Sequence, residues 1–253
     1  MTIDLAELRG YISDMYADVA LLPRGDFHFP LGRELLERLG YEPANLDQIP
    51  EAAVESCVAV GYFFDLAPLE DGEDVLDLGC GAGTDVFYAA LSMHGGSVTG
   101  LDMTEAMVEK SQKSAEALGL DNVRFVQGHI ESLPFEDASF DVVLSNGVPN
   151  LSPQKERLLS EIHRVLRPGG RVMIADIVTG VHLPQSIRDN CELWAECIGG
   201  AEEEQSYLGL FGRAGLRVDT VRPNERYSFT RGSTLSAAEK FRVRSISFVA
   251  YKE

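Results

Sequence analysis

The chain lacks what several large classes of protein require. None of its apolar runs is longer than a strand, and no basic segment leads into an apolar stretch after Met1, so neither a membrane span nor a signal peptide is expected. Basic residues are scarce: 22 Lys and Arg face 40 Asp and Glu, a formal charge of −18 that repels a phosphate backbone. Nucleic acid is not an expected partner, and the acidity reads as a solvated surface suited to solubility or high salt. The four cysteines, Cys57, Cys80, Cys191 and Cys197, show no CxxC spacing and no histidine at zinc-finger distance. Neither a structural metal nor a disulfide framework is indicated, and a cytoplasmic protein with thiols is expected. Internal repeats and low-complexity segments are also missing. None of this fixes an oligomeric state.

What remains is ordinary globular composition in two textures. Residues 1–68 carry helical patterns, Ile3 to Ala20 and Leu31 to Leu39, broken by Pro23, Gly25, Pro30, Pro43 and Pro50. Aromatic residues cluster there: Tyr11, Tyr16, Phe27, Phe29, Tyr62 and Phe63, with His28 among them. Residues 69–253 instead alternate apolar strand, glycine turn and amphipathic stretch, the pattern of an α/β parallel sheet with crossover helices. Strands are expected at Asp74–Leu78, Ser97–Leu101, Val123–Gln127, Phe140–Ser145, Arg171–Asp176, Leu216–Val221 and Ile246–Tyr251. Helices fill the gaps at Thr84–Met93, Thr104–Leu118 and Pro153–Leu166, with two more between about 184 and 214. The last two strands are joined without an evident helix, which implies antiparallel pairing.

The run Val75-Leu76-Asp77-Leu78-Gly79-Cys80-Gly81-Ala82-Gly83-Thr84-Asp85 is a buried strand entering a glycine turn that opens a helix. Glycine serves such a turn by allowing positive φ and by letting backbone approach a ligand, while the helix start offers free N–H groups. Dinucleotide folds space these glycines G-x-G-x-x-G; here Gly79, Gly81 and Gly83 are spaced G-x-G-x-G. Asp102 ends the next strand, where a carboxylate can accept from both hydroxyls of a ribose. A plain strand-to-helix turn would explain the glycines but not that partner.

Further along come Gln127-Gly128-His129-Ile130-Glu131, then Phe140-Asp141-Val142-Val143-Leu144-Ser145-Asn146, then Arg164-Val165-Leu166-Arg167-Pro168-Gly169-Gly170. In this order, from Asp74 to Asp176, the series resembles the class I S-adenosylmethionine-dependent methyltransferases. The resemblance implies a Rossmann-like sheet of seven strands with the last antiparallel, an N-terminal helical extension, and S-adenosyl-L-methionine as cofactor. It implies that Gly79, Gly81 and Gly83 cradle the methionine carboxylate and that Asp77 accepts from the ammonium. Asp102 then takes the ribose, Leu101 and Met103 wall the adenosine, His129 and Ile130 lie by the adenine, and Ser145 to Val148 lie beside the sulfonium.

Two other segments, Ser145-Asn146-Gly147-Val148-Pro149-Asn150-Leu151-Ser152-Pro153-Gln154-Lys155 and Glu192-Leu193-Trp194-Ala195-Glu196-Cys197-Ile198-Gly199-Gly200-Ala201, resemble the arsenite methyltransferase family, over about residues 60–216. That family gathers cysteine thiolates on trivalent arsenic, a soft centre matched to sulfur. Against its pattern Gly147 and Val60 stand where cysteines belong, and only Cys197 matches. The implied acceptor is a small molecule other than inorganic arsenite. Two alternatives stay open: an arsenical held by Cys197 and a shifted Cys57, and a non-catalytic protein that binds the cofactor. Cys191, read with Cys197 on one helix, would sit about 120° and 9 Å away, too far to share an ion. Cys80 is expected to pack.

Asn146, Asn150 and Cys197 are the residues singled out for the acceptor side, Cys197 being equally a small residue on an apolar helix face. Trp194 reads as core, and His94 and His163 as helix residues without a site role. His28 is the histidine to follow. By the same resemblance the N-terminal section closes over the substrate as a lid; the competing reading is a packed helical layer with no substrate contact.

Overall fold

The computed structural model describes residues 4–27, 29–195, 197–229 and 238–253; His28 lies outside them. Seven strands form one sheet: β1 (Asp74–Leu78), β2 (Ser97–Asp102), β3 (Val123–Gln127), β4 (Phe140–Asn146), β5 (Leu166–Val178), β6 (Leu216–Pro223) and β7 (Arg244–Lys252). Their order is β3-β2-β1-β4-β5-β7-β6. All pairings from β3 to β5 are parallel, and β7 runs antiparallel between β5 and β6. The expected topology is therefore present.

The inner strands are apolar on both faces, as a parallel sheet covered on each side requires. Their side chains divide by alternation. Val75, Val98, Leu144, Met173 and Val249 face one core. Leu76, Leu101, Val143, Val172 and Phe248 face the other.

The N-terminal helices are α1 (Leu5–Leu21), α2 (Arg33–Leu39), α3 (Pro43–Leu46) and α4 (Glu51–Glu55). Asp4 caps α1 by accepting from the amides of Ala6 and Glu7. With α5 (Thr84–Ser92) and α6 (Glu105–Leu118) these helices share the first core. On the second face α7 (Lys155–Val165) buries Leu158, Leu159, Ile162 and Val165, the spacing of one helical stripe. Three helices follow: α8 (Gln185–Arg188), α9 (Cys191–Ala195) and α10 (Glu204–Arg213), where two were expected.

The break comes at Cys197, whose φ of 60° ends the helix. The amides of Ile198 and Gly199 both return to the Leu193 carbonyl. Cys197 thus lies in the turn after α9, not on a helix face beside Cys191. A helical turn at 238–241 precedes β7, so the link between the last two strands is not wholly without helix. Among the described residues no helix is long and apolar enough to cross a membrane.

Candidate functional site

Strand order reverses at β1, the point at which open α/β sheets leave a crevice beyond their carboxyl ends. A cavity of about 1030 Å³, its open mouth included, lies there. Asp77, Gly79 and Gly81 line it from the β1 turn, Asp102 and Met103 from β2, His129, Ile130 and Glu131 from the segment after β3, and Asn146 and Val148 from the end of β4. Gly79 holds φ of 69°, and any Cβ there would overlap the Val148 side chain. The chain accepts only glycine where loop and β4 turn close on each other. Gly83 does not line the cavity; it caps α5 and packs against Phe125 and Phe87.

Asp77 is 2% exposed and its side chain has no hydrogen-bond partner among the described residues. Burial first, then the neighbouring Asp85 and Asp102, push its carboxyl well above the usual range. A desolvated, unpartnered carboxylate lining a cavity suits a cationic ligand group. Asp102 is fixed differently: one oxygen accepts from the Gly81 amide at 2.9 Å and the other from the Thr104 amide at 2.8 Å. Each oxygen keeps a lone pair for a hydroxyl donor.

Asp85, in the first turn of α5, also lines the cavity. Tyr41 donates its hydroxyl to it at 2.6 Å and Asn146 its amide at 3.1 Å. Burial raises the carboxyl to about 6, with those two donors pulling the other way. The Asn146 Nδ2 also reaches the Gly61 carbonyl at 3.1 Å and the Tyr41 oxygen at 3.2 Å, while its Oδ1 accepts from the Val60 amide at 2.9 Å. Asn146 thereby stitches the N-terminal layer to the end of β4. Cys57 lines the same end, its thiol pushed up by burial and by Asp85.

The positions where the related family carries sulfur meet at one corner. A Cβ built on Gly147 would lie 3.3 Å from a methyl of Val60, and Gly147 itself has φ of 76°. The Cys197 thiol donates to the Gly147 carbonyl at 3.7 Å and is hydrogen-bonded with Tyr16 of α1. Cys197 also bears electrostatically on Tyr227. Only one of the three positions brings sulfur to that corner.

Asn150 is fully buried and does not line the cavity. Its amide and its Nδ2 donate to Asp176 of β5 at 2.9 and 2.6 Å, and the Tyr207 hydroxyl of α10 donates to the same carboxylate at 2.5 Å. Burial lifts Asp176 to about 6 in spite of these donors. Lys155 anchors the turn from its other side, donating to the carbonyls of Asn150 at 3.0 Å and Ser152 at 2.8 Å, with its ammonium 5.3 Å from the Trp194 ring centroid. Burial lowers that lysine to about 8. Trp194 is core, as its sequence context suggested. Ser145 likewise faces inward and donates to the Leu78 carbonyl at 2.8 Å, joining β4 to β1.

Helix α1 contributes Leu8, Arg9, Ile12 and Tyr16 to the cavity wall. Arg9 pairs with Glu131 at 3.3 Å, and Glu131 accepts from the Ser152 hydroxyl at 2.6 Å. At the other end of α1, Lys110 donates to the Ala20 carbonyl at 2.9 Å.

Of the residues singled out from sequence, Asp77, Gly79, Gly81, Asp102, Met103, His129, Ile130 and Asn146 come together around the cavity. Gly83, Ser145, Asn150 and Cys197 stand behind its wall. Asp85, Glu131 and Arg9 were not singled out. The signal for Asp85 was its place in the first turn of the helix that the glycine loop opens.

The sheet order, the antiparallel β7 and the glycine-lined crevice with a carboxylate ending β2 define a class I S-adenosylmethionine-dependent methyltransferase, with S-adenosylmethionine as its cofactor. Residues 69–215 match the methyltransferase-domain family, and the chain belongs to it. Within that family it resembles the arsenite methyltransferases. It is 36% identical over 190 residues to the arsenite methyltransferase of Halobacterium salinarum, a match covering 75% of this chain and 48% of the relative.

The arsenic(III) S-adenosylmethionine methyltransferase of Chlamydomonas reinhardtii superposes with a TM-score of 0.63 at 31% identity, covering 88% of this chain and 74% of that one. A geranyl diphosphate methyltransferase shares the fold, with a TM-score of 0.69 at 19% identity and coverage of 97% and 100%. The alignment spans about half the length of the curated relatives it matches, 48% and 56% for two of them.

Proposed function

We propose that this methyltransferase places its methyl group on a small-molecule acceptor other than inorganic arsenite. The reading rests on the corner where Val60, Gly147 and Cys197 meet, which holds one thiol where a soft trivalent centre needs several. The bound cofactor supplies an electrophilic methyl group whose departure leaves a neutral thioether. The protein's own task is to align the acceptor for in-line attack and to exclude water.

Within the glycine turn the amides of Gly79 and Cys80 donate to the Leu101 carbonyl, that of Gly81 to Asp102 and that of Gly83 to the Cys80 carbonyl. The Ala82 amide, on the cavity wall, is therefore the one offered to the methionine carboxylate, and Asp77 offers its carboxylate to the ammonium. Asp102 accepts from the ribose hydroxyls, while Met103, His129 and Ile130 flank the adenosine. Asn146 and Val148 border the reactive end, with Ser145 holding β4 in place behind them. Asn150 acts as a positioning residue for the turn that carries Val148. Residues of α1 close the mouth as a lid, latched by Arg9 on Glu131. The surplus of acidic residues argues against a nucleic-acid acceptor.

Turnover of the cofactor against a panel of thiols, phenols, amines and arsenicals tests the reading. Methylation of a non-arsenical with none of arsenite is the expected result, and efficient methylation of arsenite alone overturns it. A second reading is favoured by Cys57, which lines the cavity: an arsenical held by Cys57 and Cys197. That reading fails if the double substitution Cys57→Ser with Cys197→Ser leaves methylation of arsenicals unchanged.

A further inference from the structure

Two carboxylates line the part of the cavity assigned above to the methionine arm, and among the described residues no cation is set against them. Asp77 reaches it from β1 and Asp85 from the first turn of α5, and both line the cavity. The groups that bear on the pair come from every element around it. Asp102 on β2 adds a third acidic charge to Asp77, the Cys80 thiol of the glycine turn also bears on Asp77, and the Cys57 thiol follows α4. The Tyr41 hydroxyl follows α2, and the neutral Asn146 amide ends β4. None of these is a cation. Asp85 has two donors to steady its charge, whereas Asp77, 2% exposed, has none among the described residues.

Two buried carboxylates that line one cavity and bear on each other do not both ionise readily. We propose that Asp77 and Asp85 hold one proton between them in the cofactor-free protein and release it to solvent when the cofactor's ammonium group takes its place. Asp85 is then a binding residue of the site, not a packed helix residue, and cofactor uptake is linked to pH. The raised positions of both carboxyls agree with this geometry. The inference rests on the assignment of Asp77 to the ammonium group made above. On the acid side, affinity weakens by up to about tenfold for each pH unit, the limit for one linked proton.

Titration calorimetry of the full chain with S-adenosylhomocysteine, in buffers of different ionisation enthalpy between about pH 5.5 and 7.5, reads the proton directly. Release approaching one proton is expected over part of that range. Methylthioadenosine, which keeps the adenosine and lacks the ammonium, is expected to bind with none. Two variants separate a charge role from a structural one. Asp85→Asn removes one of the paired charges and moves the release profile to lower pH. Tyr41→Phe removes a donor to Asp85 and moves it to higher pH.

Heats independent of buffer, equal release with methylthioadenosine, or shifts of both variants in one direction each overturn the proposal. Binding of S-adenosylhomocysteine without proton release overturns the shared proton alone; no binding at all would overturn the cofactor assignment beneath it.

Discussion

Replacing Tyr207 by Phe keeps the ring, which is buried beside Phe211 and Phe248, and deletes only the hydroxyl that donates to Asp176. Both partners are fully buried, 1% and 0% exposed, so solvent cannot replace the lost donor. A hydrogen bond to a charged group contributes about 1.5–3 kcal/mol, and one between neutral groups about 0.5–1.5. Which figure applies depends on the charge of Asp176, raised to about 6 in the folded chain from its ordinary 3.8. Because the native state binds that proton more tightly than the unfolded state, this carboxyl's contribution to stability falls as pH rises through that window.

Tyr207→Phe weakens the ionised form further, so it extends the fall upward in pH. Urea unfolding should therefore show a loss of about 2 kcal/mol at pH 8, shrinking to about 1 kcal/mol or less at pH 5, where Asp176 is mostly protonated. At the higher pH the melting temperature should drop by about 5 °C in a chain of this size. An equal loss at both pH values, or a loss below about 0.5 kcal/mol at pH 8, would show that Asp176 carries no charge that Tyr207 stabilises.

Gly79→Ala should leave a folded protein that binds S-adenosylhomocysteine at least about tenfold more weakly by calorimetry, because the left-handed backbone and the overlap with Val148 both press the loop out of place. Val60→Cys with Gly147→Cys brings three sulfurs to one corner and should confer arsenite binding, measured by mass spectrometry; φ of 76° at residue 147 limits the cost to about 1–2 kcal/mol of stability. Arg9→Ala removes a pair on a partly exposed side chain and should change global stability by less than about 1 kcal/mol. The same variant should speed proteolytic cleavage near α1, and S-adenosylhomocysteine should protect it less than it protects the native chain.

The sheet was legible because each strand is a short apolar run closed by a turn; which core each side chain faces was not, since the inner strands are apolar on both faces. Asp77 and Asp102 were legible because strand ends beside glycines place a side chain at the crevice. Asp85 was not, since its role depends on Tyr41, 44 positions away in sequence. Asn150 was read with Asn146 from their closeness in sequence. Asn150 lies within a single-turn helix, Pro149–Leu151, that turns its side chain to the buried carboxylate of Asp176.

Cys197 followed a helical apolar pattern that its left-handed backbone ends. Loss of cysteine at Val60 and Gly147 was visible by comparison with the related family. That the two positions touch was not, because residues 60 and 147 meet only through β4 and the N-terminal layer.

The strip Val60–Gly61 is held by Asn146 at the end of β4 and by residues that come far later in the chain. Asn146 takes the Val60 amide, while Ser245, 185 positions later, donates to the Val60 carbonyl at 2.6 Å. A side chain on Gly61 would collide with Ser247 and Asn224. During synthesis the N-terminal layer therefore waits for the final strands before this seam can close, and contacts of such long range form late. A nascent chain arrested before β7 would hold the glycine turn, Asp77 and Asp102, and Asn146 against Val60 and Gly61, yet its N-terminal strip would lack the half of its seat that Ser245 supplies. Tight retention of the cofactor on ribosome-bound chains should thus arise only once β7 has emerged, so that affinity reports the closing of this seam.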